Sequence, residues 1–222
     1  MGKIVYGQYD STRYPLAKFK IHKIPENILN VMQDLNQHNL AIYRGGVGYI
    51  FLLSEEDYLL KDLDMIALET QAKEVLNKVS VADEVYINKN SFGQTVITAF
   101  WKAGEFYYKL DILVLRTLPK TIMCEYDKIE IRTVTASYLW SNRISKIAEK
   151  NIRNHTDFKT NNHYIVAKKI SEYLIKNPTK VDIDDINNVA KKMIDMESVL
   201  SRVIGSKRTS EFVKLLNIIL DV

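Results

Sequence analysis

Residues 61–68 read KDLDMIAL and residues 107–115 read YYKLDILVL; the reading of these two runs decides that of the rest of the chain. In an extended strand successive side chains alternate between faces. Asp62 and Asp64 therefore share one face of the first run, while Leu63, Met65 and Ala67 turn the other way, into a core. Two carboxylates this close repel, and an apolar strand holds them only if one is protonated or a cation lies between them. An Asp-x-Asp pair alone is common as a solvated or capping pair at a strand start. The second run adds weight, because Asp111 is the only acid in its interior, flanked by Leu110 and Ile112. If the two strands are neighbours, three carboxylates converge on one face. That is the minimum for a two-metal site, whose ions lie about 3.5–4 Å apart. Hard oxygen ligands of this kind suit Mg2+ or Mn2+.

Upstream, Pro25 opens a helix whose Ile28, Val31, Met32 and Leu35 keep helical spacing. A short strand, 40–43, ends at Gly45-Gly46, and the apolar VGYIFLL that follows reads as a buried helix. Glycines at such a junction let backbone N–H groups approach a phosphate, and the helix N-terminus adds favourable partial charge. An ordinary tight turn has the same composition, and no Walker-type Lys follows, so a P-loop is excluded. A second helix, ETQAKEVLNKV, follows the Asp-x-Asp strand. EVYINKN, QTVITAFWK and EFYYKLDILVL are then three β-branched and aromatic runs separated by Gly93 and Gly104, and KIEIRTV fits one more strand. From about Ala136 the pattern turns helical, with stretches at 136–153, 161–177, 183–203 and 208–220 broken by Pro178 and Gly205. The expectation is an α+β chain. A mixed β-sheet flanked by helices would occupy residues 1–135, and an all-α helical bundle residues 136–222. Strand, helix, strand, helix and then a strand cluster argues against a doubly wound parallel fold.

Composition narrows the class. The hydrophobic fraction of 46% and charged fraction of 26% are those of a globular protein. The charge-free stretch Gly45–Ser54 is far short of the roughly 20 residues a membrane helix needs. The opening MGKIVYGQYDSTRYP has no apolar run of the signal-peptide kind. One cysteine, Cys124, leaves no internal disulfide framework and no four-Cys zinc site. These features point to the cytoplasm. Residues 140–222 hold 15 Lys/Arg against 10 Asp/Glu, a net of +5, while the remainder holds 16 against 17, a net of −1. A basic C-terminal half suits a polyanion, and many solvated helical surfaces show the same balance.

YRGGVGYIFLL (43–53), KDLDMIAL and KLDILVL (109–115) together resemble the DNA polymerase β-type nucleotidyltransferase superfamily. Its pattern is a Gly-Gly or Gly-Ser turn, an Asp-x-Asp strand and a later strand with a third carboxylate. The glycine pair and trailing helices resemble its AbiEii-type toxin branch most. The core resemblance covers residues 40–115. It implies a nucleotidyltransferase-like N-terminal domain in which Gly45 and Gly46 hold the triphosphate and Asp62 and Asp64 bind two magnesium ions. Asp111 would complete one metal site and orient or deprotonate the acceptor hydroxyl. The same branch resembles this chain in SNRISKIAEKNIRNHTDFK, which supplies Lys146 and, further on, Asp157. On that helix Arg143, Lys146, Lys150 and Arg153 are spaced 3, 4 and 3, so four cations share a face suited to phosphates. A solvated helix face gives the same spacing. The resemblance departs at YLLKDLD, where an Arg and a Ser or Thr are expected, and at Thr160, where an acid is expected.

The functional expectation is transfer of a nucleoside monophosphate from an NTP to an RNA, above all tRNA, or to a protein, with a toxin paired to a cognate antitoxin as one setting. A small-molecule acceptor such as an aminoglycoside would call for an acidic pocket. A catalytically inactive binding protein is the alternative outside enzymes. His22, His38, His155 and His163 show no metal-ligand spacing. Tyr107 and Tyr108 read as a cross-strand structural pair before a base-stacking one.

Overall fold

The computed structural model describes residues 2–151, 158–187, 201 and 205–220. The chain divides into two compact units, Met1–Val134 and Thr135–Val222.

The first unit is built on one eight-stranded mixed sheet in the order β1-β4-β5-β6-β3-β2-β8-β7. Its strands are β1 (Lys3–Tyr6), β2 (Ala41–Tyr43), β3 (Leu63–Leu68), β4 (Glu84–Lys89), β5 (Thr95–Ala103), β6 (Phe106–Leu115), β7 (Thr121–Tyr126) and β8 (Ile129–Val134). Three helices accompany them: α1 (Glu26–Gln37), α2 (Gly45–Leu53) and α3 (Ala72–Val79). The pair at the centre, β3 and β6, runs parallel, while β5 lies antiparallel to β6 and β2 antiparallel to β3. Central strands bury both faces, so they carry apolar side chains on each. Leu63, Met65 and Ala67 pack one face of β3 without exposure, and Ile66 is equally buried on the other. α2 is buried almost all round, from Gly46 to Phe51.

Several boundaries differ from those read off the sequence. The 61–68 run becomes a strand only at Leu63, leaving Lys61 and Asp62 in the bend that leads into it. Pro25 caps α1 from outside its first turn. β1 falls in a segment read as irregular, and β7 in one read as an interruption after Pro119. Both are edge strands with little apolar alternation: Ile4 and Tyr6 of β1 and Met123 of β7 are exposed.

The second unit is helical: α4 (Ala136–Asn151), α5 (Phe158–Lys176) and α6 (Ser206–Leu220). Trp140, Ile144 and Ile147 of α4 and Ala167, Ile170 and Leu174 of α5 are buried. Tyr164 donates its hydroxyl hydrogen to the Glu211 carboxylate, and Lys168 pairs with the same carboxylate at 3.4 Å, fastening α6 to α5. Residues 183–187 begin a further helical turn. The rest of the 183–203 stretch falls outside the described residues, apart from Ser201. No helix among the described residues is long and apolar enough to cross a membrane.

Candidate active site

Strand register brings the carboxylates together. Asp64 of β3 is the parallel partner of Asp111 of β6, and Asp111 is the antiparallel partner of Thr98 of β5. Paired strands lie about 4.8 Å apart, so Arg44, Asp64, Asp111 and Thr98 form a polar row across four neighbouring chains. Arg44 joins it because its backbone N–H donates to the Asp64 carbonyl at 3.1 Å. Lys109, two residues before Asp111, shares its face of β6 by alternation, and Asp62, in the bend before β3, joins the group through its 3.4 Å contact with Lys109.

Lys109 is the centre of charge. Its ammonium lies 2.6 Å from Asp111 Oδ2 and 3.4 Å from Asp62 Oδ2, and its side chain is only 11% exposed. A charge this buried persists only when paired. Burial, the largest single influence, pulls the Lys109 ammonium toward neutrality; the Asp111 and Asp62 carboxylates together outweigh it, so its pKa is raised. Asp111 also accepts a hydrogen bond from the Thr98 hydroxyl at 2.8 Å, and Thr98 is almost wholly buried. Arg44 Nη2 lies 3.3 Å from Asp64 Oδ1, while its buried Nε has no hydrogen-bond partner among the described residues. Burial and then the Asp64 charge push the Asp62 carboxyl up from the usual carboxylate range, with Lys109 opposing and Asp111 adding to them. Tyr9 borders the same group: burial raises its phenol, and Lys109, Asp111 and Asp62 all act on it.

The glycine turn touches this constellation directly. Gly45 has φ +61°, in the left-handed region, and a Cβ there would sit 2.1 Å from Asp64 Oδ2. The carboxylate thus lies in the space that only glycine leaves open. A Cβ on Gly46 would meet Leu60 Cδ2 at 2.6 Å, so the first turn of α2 is pressed against the residues leading to Asp62.

On the far side of Asp111 an aromatic group covers the same face of the sheet. Tyr14 stacks on Phe100 with ring centroids 4.0 Å apart, and Tyr9 meets Phe100 edge-on at 5.0 Å. Phe100 is the cross-strand partner of Lys109, which places this apolar wall beside the ammonium. Tyr107 packs on Tyr14, and Tyr108 packs on Phe19 while donating to the Lys23 carbonyl, so both tyrosines are structural.

The donor set suits a hard divalent cation. Three carboxylates lie together, and Asp62 carries the strain of its neighbours' charge. Among the described residues no three acidic, histidine or cysteine side chains are already gathered into a metal cage. Lys109 pairs with Asp62 and Asp111, and Arg44 with Asp64.

The remaining expected residues lie in the second unit. Lys146 is half-buried on α4. Arg143, expected on a phosphate-facing cationic stripe, is instead buried, with Nη1 3.0 Å from His163 Nδ1. Helical spacing puts residues on a common face without saying whether that face is wet. Arg153, Asp157 and the side chain of Lys150 lie outside the described residues. Conversely, Arg44, Thr98, Lys109 and Tyr9 were not singled out from the sequence. Lys109 carried a usable signal, since it lies two residues before Asp111 in a strand and must share its face. Thr98 and Arg44 enter only through strand pairing.

No protein-family model and no curated protein matches the chain. Among solved structures, the antigenic nucleotidyltransferase-like protein from Paracoccidioides brasiliensis is similar with a TM-score of 0.48 and 10% identity, over 84% of this chain and 99% of that one. The antibiotic-resistance factor ANT(2'')-Ia gives 0.49 and 10%, over 79% and 94%. JHP933 from Helicobacter pylori gives 0.47 and 11%, over 89% and 93%.

Proposed function

We propose that the chain is a metal-dependent nucleotidyltransferase that moves a nucleoside monophosphate from an NTP to an acceptor hydroxyl, forming a bond from that oxygen to the α-phosphorus and breaking the α–β phosphoanhydride bond with release of pyrophosphate. The observation that carries the reading is the in-register pairing of Asp64 with Asp111, with Asp62 joined to the group through Lys109 and the Gly45 turn closed over Asp64. Asp62, Asp64 and Asp111 would hold Mg2+ or Mn2+, which when bound supplies charge neutralisation at the phosphates and at the attacking oxygen. The chain's own groups do the positioning. The N–H groups of the first turn of α2 at Gly45 and Gly46 face an anion, and helix N-termini favour negative charge there. Arg44, with one free buried N–H, adds a donor for a phosphate oxygen. Asp111, aimed by Thr98, receives the acceptor's proton. Holding the acceptor and the α-phosphate in line is where most of the rate comes from.

For the acceptor, the net +5 of residues 140–222 favours a polyanion, hence RNA such as tRNA, over a cationic small molecule. A toxin role with an antitoxin partner rests on the sequence resemblance alone. Incubation with labelled NTPs, Mg2+ and total cellular RNA tests the reading: label on RNA is expected, and its loss in Asp64→Ala. Absence of any metal-dependent NTP binding by the wild type would refute it. For the toxin role, induced expression should slow growth and Asp111→Ala should relieve it; growth unaffected by the wild type would reject that role.

A further inference from the structure

Lys109 is the most deeply buried cation of the first unit to touch two of the carboxylates, and the reading above gives it no task. Its ammonium bridges Asp111 at 2.6 Å and Asp62 at 3.4 Å, the space where a divalent ion would neutralise the same two oxygens. Arg44 does the corresponding work for Asp64. Counted formally, three carboxylates against these two cations leave one negative charge. A bare divalent ion entering this group turns its charge positive and must displace an ammonium already in contact. A divalent ion that arrives with a polyphosphate brings negative charge of its own, and the displaced ammonium gains an anion to face.

We propose that Lys109 is an internal counter-cation that keeps Asp62 and Asp111 in place of a metal ion, so that the site takes up divalent cations jointly with a polyphosphate rather than alone. Lys109 is here a positioning residue, acting through the two carboxylates. The inference deepens the nucleotidyltransferase reading and rests on it for the identity of the polyphosphate.

The test is Mn2+ binding by calorimetry to the full chain, with and without a non-hydrolysable NTP analogue, for the wild type, Lys109→Met and Lys109→Arg. Expected are weak Mn2+ binding by the wild type alone and marked tightening with the analogue. Lys109→Met should bind Mn2+ alone about tenfold tighter or more and gain little from the analogue, while Lys109→Arg should follow the wild type. Equal Mn2+ affinity of Lys109→Met and Lys109→Arg, each folded by circular dichroism, overturns the proposal. Removing Lys109 leaves carboxylates unpaired, so Lys109→Gln, which keeps a hydrogen-bond donor toward Asp111, serves if the Met variant does not fold. The same tenfold gain is expected of it, and its absence is equally decisive. Failure of the analogue to bind the wild type under any condition refutes the nucleotidyltransferase reading instead, and the metal-only comparison of the variants still decides the role of Lys109.

Discussion

Replacing Gly45 by alanine tests the contact between the α2 turn and Asp64. Two costs add. Alanine at φ +61° occupies the left-handed region, at about 1–2 kcal/mol. The new Cβ would also stand 2.1 Å from Asp64 Oδ2, where ordinary contact begins at 3.4 Å, so the carboxylate must recede by 3.4 − 2.1 = 1.3 Å. Such a shift breaks the 3.3 Å contact with Arg44, worth roughly 1 kcal/mol. The total is about 2–3 kcal/mol. Gly104→Ala separates the two costs: Gly104 has φ +63°, and nothing lies within 4 Å of its virtual Cβ. It should lose only the backbone share. Urea denaturation of both variants should therefore differ by about 1 kcal/mol, with Gly45→Ala the weaker. A misplacement of about 1 Å at a reacting group costs on the order of 100-fold in rate. Nucleotidyl transfer should fall by that much in Gly45→Ala and stay intact in Gly104→Ala. Equal destabilisation of the two, with transfer retained by Gly45→Ala, would show that Asp64 does not use the space beside the turn.

Other predictions bear on neighbouring links. Thr98→Val keeps the shape of a buried residue but removes the hydrogen bond to Asp111; a loss of about 1.5–3 kcal/mol in urea denaturation is expected, with roughly tenfold slower transfer as Asp111 loses its aim. Wild-type stability in both measures would refute the orienting role. Addition of Mg2+ with an NTP analogue should stabilise the wild type by about 2.7 kcal/mol at a hundredfold excess over Kd, read as a higher melting temperature; Asp111→Asn should show no such rise, and an equal rise would place the ligand elsewhere. Asp34 is held below the usual carboxylate range, first by its hydrogen bond from Lys78 at 2.7 Å, against burial. A lowered folded pKa means stability present above the unfolded value and lost as pH falls through the folded one. Asp34→Asn should therefore cost about 0.5 kcal/mol at pH 7, the pair being part-exposed, and match the wild type in strong acid. A gap that persists there would mean packing, not charge, links α1 to α3.

The sheet interior was legible because central strands must bury apolar side chains: β4, β5 and β6 all stand out as β-branched runs between glycines. β1 and β7 were not, since an edge strand with exposed Ile4, Tyr6 or Met123 carries no alternation to read. The three aspartates were legible for the converse reason, as charges in places where apolar residues are the rule. Their partners were hidden to differing degrees. Lys109 follows from alternation once Asp111 is placed, whereas Thr98 needs the β5–β6 register and Arg44 needs the β2–β3 register. Arg143 shows the limit from the other direction: its spacing with Lys146 is correct for a shared face, and its contact with His163 depends on how the next helix packs against α4.

Charge repulsion read from sequence alone draws attention to three carboxylates that strand register brings side by side, and leaves out the cations that face them. Repulsion between Asp62, Asp64 and Asp111 requires either protons or cations. The sequence reading considered a proton or a divalent ion, because it looked only at the acids. The structure supplies a third answer within the chain, an ammonium and a guanidinium, each within 3.4 Å of its carboxylates. The carboxylates' charge is thus met inside the fold by a buried lysine and by Arg44, while the Asp62 carboxyl remains raised. The contacts of Lys109 and Arg44 with the three carboxylates, rather than the count of acids, are therefore the feature on which the proposed joint uptake of cation and polyphosphate turns.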